Sequence, residues 1–111
     1  MTVTVQVLIP SKTAEASQST QYTSTNVTTI IDKFTATNYS ATAATISVNL
    51  VTSGTVADTL NLITKAKTLQ PSEVYTFPEL VGQVLASGGF ISTLAGTAGA
   101  INIRARGRAV S

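Results

Sequence analysis

Hydrophobic and polar residues alternate along much of this chain, and the alternation has the two-residue period of a strand with one buried face. In the first stretch, Val3, Val5, Val7 and Ile9 fall on one side and Thr2, Thr4, Gln6 and Leu8 on the other. The valine side is expected to face the core, and Pro10 to end the strand, because proline cannot donate to a ladder. Residues 11–26 are small and polar, with Tyr22 the only large side chain. They predict an extended arm or loop, with room for a short strand around Tyr22.

Further strands are predicted at Val27–Thr37, where Ile30, Ile31 and Phe34 supply apolar weight, and at Ala44–Val51. In the latter Ile46, Val48 and Leu50 oppose Thr45, Ser47 and Asn49. Leu60–Leu69 carries Leu60 and Leu62 against Lys65 and Lys67, and Val74–Phe77 follows the turn Gln70-Pro71-Ser72-Glu73. Pro78 suits a first helical position and Glu79 a helix N-terminus, which predicts one short helical turn near residues 78–85, stopped by Ser87-Gly88-Gly89. Phe90–Leu94 and Ala100–Val110 close the chain around the Gly96–Gly99 turn.

Seven or eight short strands separated by turn residues predict an all-β, single-domain antiparallel β-sandwich or jelly roll spanning residues 1–111. Composition supports a sheet. Thr (20), Val (11) and Ile (8) are β-branched and sit well on a half-buried pleat. Charged residues are only 11% of the chain, well below the roughly 25% of an average soluble domain. Hydroxyls from 20 Thr and 11 Ser stand in their place. Residues 80–103 carry no charge, yet five glycines break them into short apolar bursts, so no membrane span is expected. The chain opens directly on a strand pattern, without the basic and apolar regions of a signal peptide.

Chemistry is sparse. With no His and no Cys, the commonest general base, thiolate nucleophile and soft metal ligands are missing. Four of the five carboxylates, Glu15, Asp32, Asp58, Glu73 and Glu79, lie in or beside expected turns. No acidic cluster suits calcium, and the glycine pairs lack the strand–glycine–helix setting of a phosphate cradle. The expectation is a binding or structural module, not an enzyme, with no cofactor and no metal.

The most pointed feature is the C-terminal run Ile101-Asn102-Ile103-Arg104-Ala105-Arg106-Gly107-Arg108. Strand geometry turns Ile101, Ile103 and Ala105 inward and sets Arg104, Arg106 and Arg108 in a row about 7 Å apart on the other face. Two readings compete. The row could recognise a carboxylate-bearing surface or a phosphate, since the planar fork of Arg suits both. It could equally be a charged strand that discourages sheet-to-sheet aggregation. A net charge of +2 is too small to argue for nucleic acid, and no aromatic residues interleave with the arginines to stack bases.

The stretch IIDKFTATNYSATAATISVNLVTSG, the segment LQPSEVYTFPELVGQVLASGGFISTLAG and the closing AINIRARG resemble the capsid decoration (staple or cement) proteins of epsilon-fifteen-like short-tailed phages. The resemblance covers the chain from about residue 27 to its end, and its markers are turns and core strands. It implies a β-sandwich or jelly roll on the outer capsid surface, a homodimer clamping neighbouring major capsid protein subunits, with residues 11–26 reaching across a subunit boundary. No specific nucleic-acid partner and no membrane are implied. The alternative is a receptor- or carbohydrate-binding module of a phage head or tail fibre. Sugar binding needs exposed aromatic rings, and only three Tyr and three Phe are available.

Overall fold

The computed structural model describes residues 2–111. Nine strands run in chain order: β1 (Val3–Thr13), β2 (Ser19–Thr23), β3 (Thr28–Asn38), β4 (Ala44–Val51), β5 (Leu62–Leu69), β6 (Val74–Thr76), β7 (Val84–Leu85), β8 (Phe90–Ala95) and β9 (Ile101–Val110). All pairings are antiparallel. One sheet, here sheet A, has the order β1-β9-β3-β6, with β7 pairing beside β6 along β3; sheet B has the order β2-β8-β4-β5. Most consecutive strands cross between the sheets, the exceptions being β4 to β5 within sheet B and β6 to β7 within sheet A, and this strand order is that of a jelly roll. The chain is elongated, measuring 46 × 26 × 19 Å.

The core lies between the sheets and follows directly from the alternation. Ile46 and Val48 of β4, Ile91 of β8, and Ile101, Ile103 and Ala105 of β9 point inward and are buried. Phe34 and Phe77 meet edge to face with centroids 5.0 Å apart, and Tyr75 abuts Phe77 at 4.6 Å, an arrangement that adds quadrupolar attraction to the buried area. At the other end the interior is polar. The Tyr22 hydroxyl lies 2.8 Å from Thr29 Oγ1, which Ser24 Oγ also meets at 2.8 Å. Gln6 Nε2 donates to the Tyr22 oxygen at 3.1 Å.

That polar end reverses the expected orientation of β1. Val3, Val5 and Val7 are exposed, at 52%, 73% and 47%, while Leu8 and Ile9 are both buried. Two causes act together. Thr4 and Gln6 share the inner face with Ala109 and Gly107 of β9, where the Gln6 amide finds its partner in Tyr22. A register shift between Val7 and Ile9 then flips the face, so that Ile9 pairs inward with Ala105. Pro10 does not end the strand. It falls in a second register shift between Ile9 and Lys12, on an edge strand where a missing N–H is tolerated. Half of residues 11–26 is therefore sheet: the end of β1, then, after a short connection, β2 around Tyr22.

The expected helical turn near residues 78–85 does not form; among the described residues there is no helix. Three successive turns take its place, closed by Leu80 N to Phe77 O, Val81 N to Pro78 O and Gln83 N to Leu80 O. Gly82 adopts φ +84°, a left-handed conformation that a helix interior excludes. Its N–H instead reaches Ile31 O at 2.7 Å, which steers the chain into β7 alongside β3. Leu60, expected in the fifth strand, precedes it and is 94% exposed.

Candidate partner-binding face

The outer face of sheet A brings the arginine row together with residues remote in sequence. Arg104, Arg106 and Arg108 alternate outward from β9, as their spacing predicted, while Ile103, Ala105 and Gly107 turn inward. The three are not equivalent. Arg108 grips Asp32, with Nε 3.1 Å from both carboxylate oxygens and an Nη2–Oδ1 contact of 2.9 Å. This fork-on-carboxylate geometry neutralises its charge. Asp32 owes its position to a register shift between Ile31 and Lys33, which inserts it as an extra residue in β3.

Arg104 and Arg106 have no carboxylate partner among the described residues. Lys33 joins them, because β3 pairs with β9 so that Lys33 stands opposite Arg106 and Thr35 opposite Arg104. Together Lys33, Thr35, Arg104, Ala105 and Arg106 line a shallow open depression of about 190 Å³. Three uncompensated cations thus share one depression. Lys33 was invisible to sequence reasoning, since a pairing across some seventy residues leaves no local signal.

An apolar patch adjoins the cations. On the same outer face Val3 lies opposite Val110, Val5 opposite Arg108 and Val7 opposite Arg106. Ile30 continues the Val5–Arg108 row on the far side of β9, and Val84 continues it beyond Ile30. Val84 is 58% exposed. Exposed apolar side chains interleaved with charge in this way are characteristic of contact surfaces.

The opposite face, on sheet B, has a different character. Gln18, Asn49, Ser92 and Asn61 form an uncharged hydrogen-bonded lattice, with Gln18 Nε2 donating to Ser92 Oγ at 2.8 Å and Asn49 Nδ2 to Asn61 Oδ1 at 2.7 Å. Between the sheets' edges, Glu79 accepts from Thr64 Oγ1 at 2.6 Å and from the Tyr75 hydroxyl at 2.9 Å. Lys67 sits 4.7 Å above the Tyr75 ring. Burial alone would raise the Glu79 pKa. The Thr64 hydroxyl, the backbone, the Tyr75 hydroxyl and Lys67 outweigh it and hold the carboxyl below its ordinary value. These contacts clip β5 to the loop after β6. Among the described residues no group of three or more His, Cys, Asp or Glu is placed to hold a metal ion.

Fold and face together define a class: a jelly-roll module with one cationic, partly apolar sheet face and one face dominated by uncharged polar side chains, with Lys65 and Asp58 among them. Compared with known proteins, the chain matches no family model, no curated protein and no solved structure.

Proposed function

We propose that this chain is a structural contact protein that decorates the outer surface of a virion shell and reinforces it by binding the major capsid protein. One observation carries the contact half of this reading: the outer face of sheet A carries both the depression of Lys33, Arg104 and Arg106 and the exposed Val3, Val5 and Val7, which meet where Arg106 stands opposite Val7. Charge steers an encounter and fixes register, while apolar area supplies the persistence of the contact. The capsid half rests on the resemblance of the stretch from residue 27 onward to phage decoration proteins, which adds a homodimeric form. Many weak contacts repeated over a symmetric shell reinforce one another through effective concentration.

The test is co-sedimentation with undecorated capsids. Wild-type protein is expected to pellet with the particles, and the double variant Arg104→Glu, Arg106→Glu to stay in the supernatant while retaining its far-ultraviolet circular dichroism. Failure of wild-type protein to bind at micromolar concentration refutes the capsid reading. Undiminished binding by the double variant refutes the assignment of the face.

A further inference from the structure

The edge of sheet A at β1 offers more than side chains. Thr2 and Ser111 exchange both backbone hydrogen bonds, Thr2 N to Ser111 O at 3.1 Å and Ser111 N to Thr2 O at 2.9 Å. From that pair the register runs unbroken through Val3↔Val110, Thr4↔Ala109, Val5↔Arg108, Gln6↔Gly107 and Val7↔Arg106. Hydrogen-bonded and non-bonded pairs alternate in an antiparallel ladder. Thr4 and Gln6 therefore bond to β9, and Val3, Val5 and Val7 direct their N–H and C=O groups away from it. Among the described residues no strand lies on that side.

Sheet edges are ordinarily blunted by Lys, Pro or bulges. In β1 all of these devices lie in the second half, at Pro10, Lys12 and the two register shifts. The first half, Val3 to Val7, is regular, uncharged and exposed. It is a template for one more strand.

We infer that this half-edge takes an extended segment of a partner polypeptide, added antiparallel or parallel to β1, whose outward side chains are carboxylates. The inference rests on the reading of sheet A as the contact face and specifies how that face is engaged. Main-chain bonds to Val3, Val5 and Val7 supply the pairing. Alternate side chains of the added strand fall on the outer face beside the valines; across β1 from it stand Arg106, opposite Val7, and Arg108, opposite Val5, with Lys33 one strand further on β3 and Arg104 beside the bulged second half of β1. At about 4.8 Å per strand the added segment lies about 10 Å from β9, a gap that an arginine and a glutamate side chain can bridge between them. A second copy of this chain paired edge to edge would place two cationic faces on one continuous sheet with no carboxylate to answer them. Charge complementarity thus selects an acidic strand.

The probe is a short synthetic peptide alternating Glu with Thr, compared with its Lys-for-Glu counterpart. Binding is read by fluorescence anisotropy and by amide hydrogen exchange in the full chain. The Glu peptide is expected to bind and to protect the Val3, Val5 and Val7 amides, while Thr4 and Gln6, already bonded to β9, change little. Val5→Pro deletes an edge donor that β9 does not use and is expected to weaken binding about tenfold. Should Val5→Pro disturb folding, the exchange pattern of the wild-type chain decides alone. Peptide binding that leaves the three amides unprotected overturns strand addition. If that binding is nevertheless abolished by Arg104→Glu with Arg106→Glu, the contact face stands without it. Equal binding of the Lys peptide overturns the acidic assignment. A dimer in analytical ultracentrifugation that Val5→Pro dissolves, with no peptide binding, overturns the inference in favour of self-pairing.

Discussion

Gly107 occupies a position where the strand pairing leaves no room for a side chain, and Gly107→Ala measures that constraint. The residue sits in the middle of sheet A, flanked by β1 and β3, on the inward face that Ile103, Ala105 and Ala109 share. A β-carbon there would overlap the Ile30 carbonyl oxygen and approach Leu8 Cδ1 to 2.9 Å. The first neighbour is backbone and held by the β3–β9 pairing, so it cannot step aside as a side chain could. Overpacking of this kind costs about 1–3 kcal/mol, and contact with backbone places it toward the upper end. The lower entropy of the unfolded alanine chain offsets about 0.4–1 kcal/mol. The net loss is about 1–2 kcal/mol, or a melting temperature lower by about 4–8 °C for a domain of this size. Urea unfolding followed by circular dichroism and tyrosine fluorescence should show a lower midpoint with an unchanged slope. Gly99→Ala is the control: its φ of +69° is left-handed but the space around it is open, so it reports the conformational cost alone. A Gly107→Ala protein as stable as wild type would refute the close-approach reasoning.

Two other perturbations test the interior. Phe34→Ala removes a fully buried ring and its edge-to-face contact with Phe77; a loss of about 3–5 kcal/mol is expected in the same urea titration, a large part of the roughly 5–15 kcal/mol typical of a domain. The Glu79 carboxyl is held below its ordinary value of 4.5 in the folded chain, so the unfolded chain binds protons more readily. Its stabilising contribution is complete above about pH 5 and fades as pH falls through the lower folded value. Glu79→Gln should flatten the acid limb of a stability-against-pH curve without abolishing it. Glu15, held low first by the Gln21 amide and then by Lys12, contributes in the same direction. An acid limb unchanged in Glu79→Gln would refute the Thr64–Glu79–Tyr75 assignment.

The sequence by itself determined the class of fold and one row of the contact face. Period-two alternation at Ala44–Val51 and Ile101–Arg108 left little choice of facing, because a slip of one residue would bury Arg104 and Arg106 and expose Ile101 and Ile103. The abundance of Thr, Val and Ile and the turn residues between short runs pointed to a sandwich for the same local reasons. Tertiary structure decided whatever depended on which strands became neighbours. Val3, Val5 and Val7 look like a core face, yet the Gln6–Tyr22 bond and the shift at Ile9 turn them outward. The Pro78–Leu85 segment has local features of a helix start, yet Gly82 and the pull of Ile31 make it a run of turns. Asp32 silences Arg108, and Lys33 joins Arg104 and Arg106, only because β3 lies against β9. Facing within a strand is a local property of the backbone, whereas the partner across the ladder is set by long-range pairing, and that pairing assembled the contact face.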